Sequence, residues 1–280
     1  MPGLQTMATA LGPRPPSWLL LLLVVAVGVG FEVRRRQRER AVAASLGRLV
    51  ERYPGWHRQA WPAGITLDLL AGRFAATARG DRRYGIEHAI GGPLQLQLGG
   101  TVATCQVACF RWWYEQGRRR TGSGRGRSTG YERREEVLVL CQLPVHAHRS
   151  IRVLPADVLD RIGLTRDGTQ VESDAFNRAF EVQGSDPTLT ITLLDAGIQE
   201  LLAEAYRGRG IEISDDLLVL SGAPSHRDRS LVGIAQTYPA IVQDLARLLR
   251  SVPAAFWRQL DLSEEVPLQP EGGARRDEER

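Results

Sequence analysis

The chain contains no lysine, so all 36 of its basic residues are arginine. Without lysine there is no amine for a Schiff base and no phosphate-binding lysine for a P-loop. Kinase, P-loop nucleotide hydrolase and pyridoxal-phosphate chemistries are therefore excluded. Cysteine is also scarce. Cys105, Cys109 and Cys141 are an odd set of three, which argues against a disulfide framework and suits a reducing compartment. Cys105 and Cys109 lack the second pair that would complete a zinc site. All three thiols read as small core residues. Aromatic residues make up 6% of the chain, although six of them are tryptophan. The composition that remains is globular: 280 residues, 43% hydrophobic, 24% charged, net charge +4 and pI near 9.3. That is enough chain for one or two domains with a sizeable core.

The stretch SWLLLLLVVAVGVGFEVRRRQRER carries the localisation signal. Trp18 to Phe31 is unbroken apolar sequence, and extension over Glu32 and Val33 gives about 25 Å of helix, somewhat short of a ~30 Å hydrocarbon core. Trp18 at one interface, with Glu32 and Arg34 snorkelling at the other, can cover the difference. A cleaved signal peptide would carry its positive charge before the apolar run and a small-residue site after it. Here Arg14 precedes the run, whereas Arg34, Arg35, Arg36, Arg38 and Arg40 follow it. Arginine-rich flanks stay in the cytoplasm, which predicts a retained anchor with a cytoplasmic body. The same cluster would attract anionic lipid.

The expected organisation follows from these signals. Residues 1–17 form a proline-rich disordered tail, 18–33 the transmembrane helix, and 34–55 a helical stalk stopped by Pro54-Gly55. Residues 61–260 form an α+β soluble domain, an antiparallel sheet packed by short helices, and 263–280 a disordered tail. In the sheet, LQLQLGG places Leu94, Leu96 and Leu98 on one face. TVATCQVACFRWWYEQ puts Phe110, Trp112 and Tyr114 on one side and Cys105, Val107, Cys109 and Trp113 on the other. EVLVLCQLPV and RSIRVLP read as further strands. The arginine- and glycine-rich stretch 117–132 reads as a flexible hairpin loop. PADVLDRIG and the segment from Asp195 to about Tyr206 read as helices, and IEISDDLLVLSG as a hairpin turning at Asp215-Asp216. The last structured segment reads as helix divided by Pro239 and Pro253.

The most densely patterned stretch is VESDAFNRAFEVQGSDP, residues 171–187. Ser173 or Asp174 can cap a short helix, and Phe176 and Phe180, four apart, share its face. Glu172 and Asp174 point to different faces, so they are not a paired acid and base. An aromatic plug that docks a helix on the sheet is the favoured reading, since two buried phenylalanines contribute several kcal/mol, about 1.5–3 each. GDRRYG at 80–85, this element with its SDP, then DLLVL and PAAFW follow in order. Together they resemble a family of membrane-anchored bacterial proteins of unknown function, mostly actinobacterial. Its hallmark E-S-x-x-F-N-x-x-F-x-V corresponds here to Glu172, Ser173, Phe176, Asn177, Phe180 and Val182. The resemblance implies amino-terminal membrane helices and an α+β domain, and it carries no catalytic residue.

Three chemistries compete for the function. A non-enzymatic interaction or scaffold domain at the cytoplasmic membrane face, with a protein or anionic lipid as partner, is favoured. A membrane-tethered hydrolase or metal-binding protein would use Cys141, His146 and His148; the two histidines share a face of an extended segment but lack a third ligand. Nucleic-acid or anionic-lipid binding would use the arginine loop 118–134, with Arg118, Arg119, Arg120, Arg125 and Arg127 as candidate anion contacts. Nucleic acid is the less favoured of these ligands. No cofactor and no catalytic residue is assigned.

Overall fold

The LQLQLGGTVATCQVACF alternation dictates a long hairpin, and a hairpin forms. In the computed structural model, which describes residues 17–78, 82–118, 130–145, 148–156, 168–206, 208–221 and 231–260, β2 (Tyr84–Leu98) pairs antiparallel with β3 (Thr101–Arg118). Gly99 and Gly100 make the two-residue turn, both at positive φ, as a right-twisted hairpin requires. Gly99 has a second constraint: a Cβ there would lie 2.7 Å from the Trp257 ring. β3 then pairs with β4 (Gly130–Gln142) over its full length, from Gln106↔Gln142 to Arg118↔Gly130.

The remaining strands extend the same sheet. β1 (His57–Arg58), β5 (Ser150–Pro155), β6 (Phe180–Gly184), β7 (Ile211–Ser214) and β8 (Leu217–Ser221) complete eight antiparallel strands in the order β1-β2-β3-β4-β8-β7-β5-β6. β7 and β8 turn at Asp215-Asp216, as expected from the sequence, and the left-handed φ of 55° falls on Asp215. Aspartate tolerates that region better than most residues.

Both faces of the sheet are covered, which explains why β3 is apolar on both sides. The larger core holds Cys105, Val107, Cys109, Val139 and Cys141 of the sheet. Against it pack α1 (Ser17–Arg52), α3 (Asp174–Ala179), α4 (Pro187–Leu193), α5 (Ala196–Ala205), α6 (Leu231–Ser251) and α7 (Ala254–Gln259). The smaller core, on the other face, holds Phe110, Trp112, Tyr114, Leu138 and Leu140 under α2 (Leu67–Arg73) and Phe74. Helix α2 is not among the elements read from the sequence; its cap is Thr66, accepting from the Leu69 amide. The buried carboxylate of Glu212 ties the end of this segment to β7. It accepts from the amides of Ala75 and Ala76 at 2.6 and 2.7 Å, and the Arg152 guanidinium stands 3.4 Å away.

Helix α5 lies where its signals put it, capped by Asp195 accepting from the Ile198 amide and ending at Tyr206. Pro253 divides α6 from α7 as expected, but Pro239 does not divide α6, which continues through it to Ser251. The segment 34–55 is helical to Arg52, within the unbroken helix α1. Its second half does not stand clear of the domain: Val42, Leu46 and Leu49 are buried in the larger core. These positions lie four and three apart, one stripe of a helix. Arg58 clasps the same turn, donating to the Ala43 carbonyl. The expected tails, the PADVLDRIG helix, His146 and residues 119–129 of the arginine loop lie outside the described residues.

Candidate functional site

Two regions carry functional groups that the fold does not simply bury. The first is the front half of α1. Leu22, Val25, Val27, Val29, Phe31 and Val33 are between 47% and 71% exposed, though all are apolar. They occupy several faces of the helix, so no single neighbour could cover them. The basic flank follows directly. Within it Arg36 pairs with Glu32 and Arg35 with Glu39, both at 3.0 Å and four residues apart. Arg34 and Arg40 are exposed and form no ion pair among the described residues. Trp18 belongs to the same helix, but its side chain is not among those described. Among the described residues no helix is long and apolar enough to cross a membrane. The side chains of 17–21, 23 and 24, at the head of the expected span, lie outside that description.

The second region grows from an irregularity in β2. Its register with β3 passes from Glu87↔Arg111 to Ile90↔Cys109, so two residues of β2 face one of β3. This is a β-bulge, and it reverses the facing of everything before it. Ile90 therefore lies in the larger core while Ile86 packs on the smaller one. His88 sits in the bulge at φ 57°, and its carbonyl accepts from the Tyr238 hydroxyl of α6 at 3.0 Å. Burial, aided by Arg111, holds the His88 imidazole below its ordinary pKa, and Glu87 and Glu135 offset this in part. The ring is held toward its neutral form.

The bulge also sets Glu87 opposite Arg111, and an alternating charge quartet results. Arg111 reaches Glu135 at 2.7 Å and lies 3.8 Å from Glu87; Arg133 reaches Glu87 at 2.7 Å and Glu135 at 2.9 Å. Arg133 also lies 4.6 Å above the Trp113 ring, and Gly85 leaves room for that ring, since a Cβ there would come within 2.8 Å of its Nε1. Burial opposes the charge on Arg133, yet the two glutamates outweigh it and raise its pKa. The four charges cancel, so the quartet fastens three strands together instead of presenting a field. Sequence reasoning gave His88 no role, because a bulge is invisible to a period-two count. Ile86 and Ile90 are four apart and count as one face, so the sequence itself carries no signal of the reversal.

Each residue singled out from the sequence now has a place. The 171–182 element is a structural pin. Ser173 caps α3 by accepting from the Phe176 amide. Asn177 bonds both backbone groups of Val171, accepting at 3.1 Å and donating at 2.7 Å. Phe176 and Phe180 stack at 4.9 Å and 22°, though Phe180 begins β6 instead of sharing the helix. Val182 is buried in β6, and Glu172 is exposed. Cys141 and His148 are not brought together. Cys141 is fully buried, with its thiol pKa raised by a hydrogen bond with Cys105 and by burial. The His148 side chain is wholly exposed, 3.5 Å from Asp215. Of the arginine loop, Arg133 belongs to the quartet and Arg134 pairs with Glu132 at 3.0 Å. Arg118 ends β3 with its side chain undescribed, and Arg119, Arg120, Arg125 and Arg127 lie outside the described residues.

No family model matches the chain, and no curated protein matches it. Among solved structures, the crystal structure of the mycobacterial trehalose monomycolate transport factor A, TtfA, aligns with 12% sequence identity and a TM-score of 0.38. That alignment covers 78% of this chain and 95% of the other.

Proposed function

We propose that the chain is a membrane-tethered, non-enzymatic interaction domain, with α1 as its anchor and the α+β body on the cytoplasmic side. One observation carries the reading: a single unbroken helix, Ser17–Arg52, is exposed at the apolar Leu22 and from Val25 to Val33, and is buried in the domain core through Val42, Leu46 and Leu49. An apolar helix exposed on several sides is unfavourable in water and favourable in lipid. The arginine flank at Arg34, Arg35 and Arg36 sets the orientation, since such flanks remain on the cytoplasmic side. Of the hydrolase candidates, the Cys141 thiol is held by Cys105 and the core, away from the exposed His148. The resemblance to membrane-anchored bacterial proteins accords with this reading, and their hallmark element here serves as the α3–β6 pin.

The test is extraction of the full chain from membranes at alkaline pH and high salt. The native chain is expected to stay in the membrane pellet. A Leu22→Arg, Val25→Arg, Val29→Arg variant is expected to move to the supernatant, because each arginine at a span centre costs about 2.5–3.5 kcal/mol. Extraction of both alike would remove the anchor. Orientation is read separately from a Val102→Cys variant, at a position 67% exposed: an impermeant maleimide should label it only after the cells are opened.

A further inference from the structure

We propose that the segment of α1 just past its apolar half is a binding collar for the phosphates of anionic phospholipid headgroups, with Arg34 and Arg40 as its contacting residues. The proposal rests on the membrane-anchor reading and adds a partner chemistry to it. Arg34, Arg35, Arg36, Arg38 and Arg40 carry five positive charges over seven residues, but they are not equivalent. Glu32 neutralises Arg36 and Glu39 neutralises Arg35, each through a 3.0 Å contact one turn away. Arg34 and Arg40 are exposed without an ion-pair partner among the described residues.

Their placement matters as much as their number. The stripe Val42, Leu46 and Leu49 fixes which side of α1 faces the domain. At about 100° per residue, extending that stripe backward brings Arg35 and Glu39 onto the domain side, places Arg34 about 90° off to one flank and leaves Arg40 on the side away from the domain. The two unpaired guanidinium groups thus lie on exposed sides of the helix, Arg34 directly after Val33, where the apolar surface ends, and Arg40 about 9 Å further along the axis. A membrane interface offers phosphate oxygens at that depth, and guanidinium binds phosphate in a bidentate fork that an ammonium cannot match. Exposed side chains can meet the headgroups without disturbing the core, so the collar can be altered without unfolding the domain.

The experiment reconstitutes the full chain in proteoliposomes of phosphatidylcholine with phosphatidylglycerol. Spin-labelled phosphatidylglycerol or phosphatidylcholine then reports the lipid in direct contact with protein. The native chain is expected to select phosphatidylglycerol, by up to about fivefold per unpaired arginine, and rising sodium chloride should erase the preference. Arg34→Gln, Arg40→Gln should lose most of it. Glu32→Gln, Glu39→Gln should strengthen it, because each change releases one more arginine. A native chain that incorporates but shows no preference overturns the collar and leaves the anchor standing. A preference retained in the double arginine variant, or unchanged by the double glutamate variant, overturns the assignment to these residues. Selective displacement by inorganic phosphate, beyond sodium chloride at equal ionic strength, would assign the site to a free anion instead. Failure of the native chain to incorporate removes the anchor and the collar together.

Discussion

His88 holds a left-handed backbone without being glycine, and its ring is held toward the neutral form by burial. Because the folded pKa lies below the unfolded value, the unfolded chain binds the proton first as pH falls. Stability from this group is therefore intact above about pH 6.5, the ordinary histidine value, and declines as pH drops below it. A His88→Asn variant should keep the backbone, since asparagine accepts positive φ, and should show a smaller drop in thermal midpoint between pH 7.5 and 5.5 than the native chain. An equal drop would mean that other groups set the slope. Asn177 offers a second measurement. Its amide satisfies both backbone groups of Val171, so Asn177→Ala should destabilise by about 1–3 kcal/mol in denaturant unfolding, the penalty of a stranded polar pair. The cysteines add a correction of another kind. Their scarcity suggested a reducing compartment, but all three are free and buried. A thiol sealed in the core survives in either compartment, so these residues report packing and not location. They should stay silent to aqueous thiol reagents until the domain is unfolded, which provides a clean background for the introduced Val102→Cys.

At the scale of elements, the charge quartet makes an unequal fastening. Arg111 has a side chain only 11% exposed, whereas Arg133 is 43% exposed. Removing Glu135 leaves the more buried charge with only Glu87, 3.8 Å away, so Glu135→Ala should cost about 2 kcal/mol, whereas a purely exposed pair would cost less than about 1. Equal small losses for Glu135→Ala and Glu87→Ala would show that solvent screens the whole quartet. Much of this architecture was legible in the sequence. The end of β2, Leu94 to Leu98, followed from strict alternation, β3 from its β-branched and aromatic run, the β7–β8 hairpin from Asp215-Asp216, and α5 from the segment starting at Asp195. What escaped was set by neighbours distant in the chain. The bulge at His88 leaves no trace, because Ile86 and Ile90 keep the same parity in the sequence. Helix α2 spans too few residues, Leu67 to Arg73, to establish a period. Pro239 looked like a break, but α6 is held by Tyr238, Ile241, Val242 and Leu245 in the core on either side of it, and packing overrides one missing amide bond. The candidate site was half legible: the arginine flank could be read from the sequence, while the pairing that leaves Arg34 and Arg40 unmatched needed the helix.

For the whole molecule, the second half of α1 belongs to the domain core. The sequence placed the start of the soluble body near residue 61, yet Val42, Leu46, Leu49 and Trp56 lie in its larger core. A chain beginning at residue 38 should fold with nearly the native stability. One beginning at residue 56 should lose the burial of three aliphatic side chains, about 4.5–9 kcal/mol at 1.5–3 kcal/mol each, and its melting temperature should fall by about 10 °C or more. Indistinguishable melting curves would show that the helix is an accessory to the fold. The continuity of α1 also has a consequence for reach. Between Phe31, the last aromatic of the uncovered half, and Val42, the first residue of the buried half, the helix has no break. At about 1.5 Å per residue that is a strut of roughly 16 Å. Under the proposed anchoring, a body on such a strut would not sweep a sphere as it would on a floppy cord; it would ride at one altitude above the bilayer, present one side to whatever passes, and tilt whenever its mast tilts.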